Sequence, residues 1–172
     1  MKTASIILAL AFSVFLFCGC GKEESDNAPS QWVNNIEELK QLNQGKITIT
    51  QGIAGTLTLI EGNCMPIIGP NSTCKEYPVK RKLAIYPYTT LQETVQHEAA
   101  FYTINAEPLM EVETDAEGFY QTKLSPGTYS VFIEEKGKLY ANGFDGQGGI
   151  NPVHVDEDVV ESLNLRLNYA VY

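Results

Sequence analysis

The chain has 172 residues and a formal net charge of −9, with 44% hydrophobic and 10% aromatic residues. An excess of acids over cations argues against nucleic acid as a partner and against electrostatic docking on anionic lipid. The length is enough for one domain with its own core.

Met1-Lys2-Thr3 is a short basic start, and Ala4 to Phe17 is an apolar run. Fourteen residues at about 1.5 Å rise reach roughly 21 Å, short of a bilayer core of roughly 30 Å. The run therefore reads as the apolar region of an export signal rather than a membrane span. Gly19 directly before Cys20 resembles the lipobox of bacterial lipoproteins, with Phe17 and Cys18 departing from its usual residues. That resemblance implies cleavage after residue 19, acylation of Cys20 and attachment to the membrane through acyl chains, each buried methylene contributing about 0.8 kcal/mol. Loss of Lys2 with the signal takes the charge from −9 to −10. Residues 20–30 are polar and contain Pro29, as a flexible tether does. The acids following the cysteine resemble the surface-export signal of some Bacteroidetes lipoproteins, so the expected location is the outer membrane, facing the periplasm or the cell surface.

With Cys18 removed and Cys20 acylated, Cys64 and Cys74 remain as a pair in an oxidising compartment, where a disulfide is the default. On the chain-entropy account its closure stabilises by roughly 2.8 kcal/mol. A metal pair is the alternative, but zinc wants four ligands and no histidine lies nearby.

Trp32, Ile36 and Leu39 recur at helical spacing, which predicts a short amphipathic helix within residues 31–45, ending near Gly45. From Lys46 the period becomes two. Ile47 and Ile49 alternate with threonines, as do Leu57 and Leu59. Val79, Leu83 and Ile85 oppose Lys80 and Lys82, while Met110, Val112 and Thr114 oppose Glu111 and Glu113. Tyr129, Val131 and Ile133 alternate with Ser130, Phe132 and Glu134, and Leu163, Leu165, Leu167, Tyr169 and Val171 with polar residues. Short alternating strands with Gly/Pro turns predict an all-β protein, a seven-stranded antiparallel β-sandwich over 46–172. Residues 89–102 resist the pattern and are expected as helix or irregular crossover.

The stretch TDAEGFYQTKLSPGTYSVFIE, residues 114–134, holds acids and glycines that fit either a cation loop or turns between strands. Calcium takes six to eight oxygens, and one Asp with one Glu supply too few. The turn reading is preferred. Asp115 starts a turn and Gly118 supplies the positive φ; Pro126-Gly127 reverses the chain again. Centred on Pro126, that second turn would set Tyr120 opposite Phe132 as a hairpin, with a bulge before it.

Three of these stretches carry a family resemblance. Gly52 to Gly55, Thr114-Asp115-Ala116-Glu117-Gly118 with Phe119, and Leu124-Ser125-Pro126-Gly127-Thr128-Tyr129 resemble the pattern of carboxypeptidase regulatory-like, or transthyretin-like, domains over about residues 47–171. Gln121 departs from it, where the family carries an apolar residue, which suggests an edge strand. The 62–78 loop is a further elaboration. The resemblance implies the fold and says almost nothing about activity. The zinc peptidase domain, the terminal tetrapeptide of hydroxyisourate hydrolases and the Tyr/His iron set of intradiol dioxygenases have no counterpart in this sequence.

Remaining candidates are few. His154 in HVDED has carboxylates beside it but falls on an outward phase, and His97 has no nucleophile at a meaningful spacing. The glycine-rich 143–151 lacks the strand-to-helix switch of a phosphate cradle and reads as a flexible loop. The Asn71-Ser72-Thr73 sequon is incidental behind a bacterial export signal. Lys75, Lys80, Arg81 and Lys82 read as a solvated strand face. Tyr86, Tyr88, Tyr120 and Phe132 fall on outward phases and are candidate ligand-facing aromatics, unless a helix or residues 89–106 cover them. The expectation is a non-enzymatic, lipid-anchored envelope protein without cofactor or metal, a binding or scaffold module for a glycan, peptide or partner protein. Alternatives are a hydrolase or metal-dependent enzyme on a transthyretin-like frame, and a structural subunit of a surface nutrient-uptake complex.

Overall fold

The computed structural model describes residues 30–66, 72–98 and 100–172. The signal, Cys20 and all of the tether but its last residue lie outside these residues, as does Asn71 of the sequon.

The helix is shorter than expected. A 3-10 turn, Ser30–Trp32, precedes α1, Ile36–Gln44, which Gly45 terminates. Leu39 is fully buried and anchors α1 on the sheet; Trp32 is buried just outside the helix. The Ile47–Thr50 alternation is not a strand. This segment runs beside the sheet, but the Gln121 side chain substitutes for a neighbouring strand, its Oε1 accepting from Thr48 N (2.9 Å) and Ile49 N (3.4 Å).

The all-β sandwich is present, divided among the described residues into twelve strands rather than seven. The first sheet is organised on β1, Gly52–Asn63. Its first half pairs with β7, Phe119–Thr122, and β11, Val160–Ser162; its second half pairs with β2, Lys75–Pro78, and β12, Leu165–Val171. β11 and β12 run parallel to β1, so this sheet is mixed rather than wholly antiparallel. β7 pairs with β1 alone, the edge position that Gln121 suggested. The Cys64–Cys74 disulfide closes the β1–β2 connection.

The second sheet has the order β4-β5-β9-β8-β3-β6, with β10 also on β8. Its strands are β3 (Lys82–Pro87), β4 (Thr94–Gln96), β5 (Phe101–Ile104), β6 (Met110–Glu113), β8 (Gly127–Glu135), β9 (Lys138–Tyr140) and β10 (Pro152–Val155). Residues 89–102 contain two short strand segments, 94–96 and 101–102, rather than a helix or a wholly irregular crossover. A 3-10 turn, Leu91–Glu93, closed by a Thr90/Glu93 capping box, leads into the β4–β5 hairpin. Strands this short show too few alternations to be read from the sequence.

Ile53, Leu57, Leu59, Leu83, Ile85, Val131, Ile133, Leu165 and Leu167 fill the space between the sheets. Both turns of 114–127 pass the chain from one sheet to the other, since β6 and β8 lie in the second sheet and β7 in the first. The expected β7–β8 hairpin is thus corrected: Leu124 is buried where the chain changes layers, and Tyr120 pairs with Gly55 instead of Phe132. A Cβ on Gly55 would stand 1.9 Å from Leu163 O, so only glycine lets the chain pass here. The Tyr120 hydroxyl donates to that same carbonyl, and burial pushes this phenol's pKa up.

Candidate functional site

The expected ligand-facing aromatics are covered. Tyr120 is a core residue. Tyr86 and Phe132 do leave the interior on the outer phase of the second sheet, but they form a second apolar cluster there with Ala84, Tyr102, Ala141 and Ile150. Tyr86 and Tyr102 meet Phe132 edge-on, with centroids 5.7 and 6.1 Å away. Tyr88 is half-buried, and its hydroxyl is engaged by Asp145 at 2.7 Å.

In the turn at 114–118, Asp115 is engaged as turn chemistry. Asp115 Oδ1 accepts from Glu117 N (2.9 Å) and Phe119 N (2.8 Å), while Oδ2 meets Lys46 Nζ at 3.0 Å. Gly118 sits at φ +67°. The Tyr129 hydroxyl donates to Ser125 O (2.9 Å), closing the Pro126 corner. His154 is exposed between Thr128 Oγ1 (2.9 Å) and Asp156 Oδ1 (3.3 Å), and His97 meets Thr103 Oγ1 at 2.7 Å. Among the described residues no three His, Cys, Asp or Glu side chains are grouped to share a metal.

Lys75, Lys80 and Lys82 are exposed, as a solvated strand face requires, whereas Arg81 is partly buried. Arg81 Nε meets buried Glu135 at 2.6 Å, and the Tyr169 hydroxyl donates to the same carboxylate (3.2 Å). Burial first, then the Glu135 charge, pushes the Tyr169 phenol up to about 12. Lys80 and Lys82 face Glu113 and Glu111, at 3.4 and 3.2 Å.

What sequence reasoning missed is a groove of about 530 Å³ along β12, from the flank of α1 to the 142–152 loop. That volume falls in the range of small-ligand sites. On its sheet side, Thr56 and Thr58 of β1, Glu76 of β2 and the outward residues Arg166 and Asn168 of β12 face it, with Asn164 just ahead of the strand. Thr58 Oγ1 donates to Glu76 Oε1 (2.7 Å), and Arg166 Nε approaches the same oxygen at 3.5 Å. Asn164 Oδ1 accepts from Thr56 N (3.0 Å) and Asn168 Oδ1 from Ala170 N (3.1 Å). Neither Nδ2 has a partner among the described residues. Each amide thus keeps two N–H donors available.

The opposite wall is the loop expected to be flexible, and it is internally tied. Asp145 Oδ1 accepts from Gln147 N (2.7 Å) and Gly149 N (3.0 Å). The Tyr88 hydroxyl is the main influence holding the Asp145 carboxyl below its usual range. Asn151 accepts from Gly143 N (2.6 Å) and donates to Val131 O (3.2 Å). Phe144, 50% exposed, stands on this framework and lines the groove. A second compartment of about 380 Å³ continues beneath α1, sharing Lys40, Thr56 and Asn164. Asn43 lies there, buried, its Nδ2 donating to Thr56 Oγ1 and Glu117 O (both 2.9 Å); its Oδ1 has no partner among the described residues.

Compared with protein-family models, curated proteins and solved structures, the chain matches none. The outward polar phase of Asn164, Arg166 and Asn168, with an aromatic in the glycine-rich 143–151 stretch, is the sequence signal that went unused.

Proposed function

We propose that this protein is a non-enzymatic, lipid-anchored envelope protein on a transthyretin-like sandwich, binding a glycan, peptide or partner protein in the groove between α1, β12 and the 142–152 loop. The observation that carries the reading is a ligand-sized groove whose wall is held rigid while its amide donors stay free. Rigid walls suit binding, because little ordering is left to do when the ligand arrives. The close approach at Gly55 and the Tyr129–Ser125 corner support the family frame. His97 and His154 stand outside the groove lining, which favours binding over acid–base chemistry. The anchor rests on the lipobox-like Gly19-Cys20.

A photo-crosslinking residue at position 144 in intact cells tests the binding half. An adduct is expected there and not at exposed position 123, on the β7–β8 connection; equal labelling or none contradicts it. Fractionation of Cys20→Ser tests the anchor. The variant should leave the membrane fraction, and its retention there would remove the lipid.

A further inference from the structure

We infer that the groove takes a neutral glycan, with Phe144 as the platform for one sugar ring and the amides of Asn164 and Asn168 as donors to its hydroxyls. The inference rests on the binding-module reading above and narrows it to one ligand class.

Charge decides the first step. The two cations of the lining each face a carboxylate: Lys40 meets Glu37 at 2.7 Å and Arg166 meets Glu76 at 3.5 Å. Little net charge remains to select a phosphate, sulfate or uronate, and the protein as a whole is acidic. What remains is polar and uncharged. Asn164 and Asn168 have each committed Oδ1 to a main-chain N–H, which fixes the amide plane and turns the NH2 group to its own purposes. Fixed amide donors at a protein surface suit hydroxyl oxygens, which accept in many directions.

The apolar part of the lining gives the second step. Phe144 is its only large hydrophobic side chain that is exposed among the described residues. A single exposed ring over an amide-lined floor matches the C–H face of a pyranose, apolar above and hydroxylated at its rim. An extended peptide fits less well. It would pair with the open edge of β12 and need apolar pockets for alternate side chains. That edge is already engaged, since Asn168 N donates to Tyr140 Oη (3.1 Å) and Asn142 Nδ2 reaches Arg166 O (3.5 Å).

The test is calorimetric titration of the purified full chain with cellohexaose, xylohexaose, mannohexaose, maltohexaose and laminarihexaose, for the wild type, Phe144→Ala and Asn168→Asp. Phe144 is exposed, and Asn168→Asp keeps the acceptor used by Ala170 while removing the donors; unchanged thermal unfolding will verify both folds. At least one hexaose should bind saturably, about tenfold more weakly in Phe144→Ala and more weakly in Asn168→Asp as well. The inference is overturned if no hexaose binds, or if binding ignores both substitutions. Oligogalacturonate and a mixed decapeptide pool are then titrated as controls. If either binds in a Phe144-dependent way, the neutral-glycan assignment alone has failed. If neither binds, the glycan and peptide readings of the groove fail together.

Discussion

Asp115, between β6 and β7, and Asp145, between β9 and β10, use one carboxylate oxygen in the same way, accepting main-chain N–H groups two and four residues on. They differ in what meets the other oxygen. Asp115 Oδ2 is reached by Lys46, whose ammonium also lies 5.3 Å from the Phe119 ring centroid, so the N-terminal segment closes over the turn. Asp145 Oδ2 is reached by Tyr88, which ties the loop to the second sheet and leaves Phe144 half in solvent. One local motif therefore closes a layer change in one place and supports a half-exposed phenylalanine in the other. The second partner decides which.

The two turns differ most at their glycines. Gly118 has φ +67°, and a Cβ there would stand 2.2 Å from Leu57 O. Gly118→Ala should destabilise by about 3 kcal/mol in urea unfolding, combining left-handed strain with a main-chain collision. Gly148 has φ +95° with nothing within 4 Å of an added Cβ, so Gly148→Ala should lose only about 1 kcal/mol. Equal losses would mean that the two turns are constrained alike. Next in size, Asp115→Ala removes two N–H acceptors and should lose about 2 kcal/mol, while Asp115→Asn, which keeps an acceptor, should lose under half of that. Lys46→Met should lose about 1 kcal/mol or less, because the pair is partly exposed and screened by salt.

The smallest effect sharpens the second turn. The folded-state pKa of Asp145 lies below its ordinary value of 3.8, through Tyr88 first and then the Gln147 amide. A depressed carboxylate pKa contributes stability that is complete above the ordinary value and fades as the pH falls through the depressed one. Asp145→Asn should flatten the unfolding curve in that acid window only. Tyr88→Phe should bring the Asp145 titration, followed by carboxyl NMR, back toward its ordinary value and speed amide exchange at Gln147 and Gly149. No change in either would detach Tyr88 from the loop.

Legibility in the sequence followed locality. The β12 alternation was readable because Leu165 and Leu167 face the core while Arg166 and Asn168 do not. The Thr114–Gly118 turn was readable because its main-chain hydrogen bonds to Asp115 come from Glu117 and Phe119, while its distant partner Lys46 was not. The β7–β8 relation was not: a Pro-Gly reversal looks the same whether the chain folds back on its neighbour or crosses to the facing sheet, and Leu124 reveals the crossing only once buried. Tyr86 and Phe132 had the right phase, but residues distant in the chain, Tyr102 and Ile150 among them, supply the cover. The groove was hidden for the same reason. Its parts lie at 40, 76, 144 and 164–168, and asparagines carry no charge pattern to draw notice.

In the proposed function the Asp145 loop and β12 form the binding face, while the Asp115 turn is structural. Amide hydrogen exchange of the full chain, with and without the pooled neutral hexaoses, tests both halves at once. Exchange should slow at 143–151 and along 164–168 and stay unchanged at 115–119. Slowing confined to 115–119, or no slowing at either place, would contradict it.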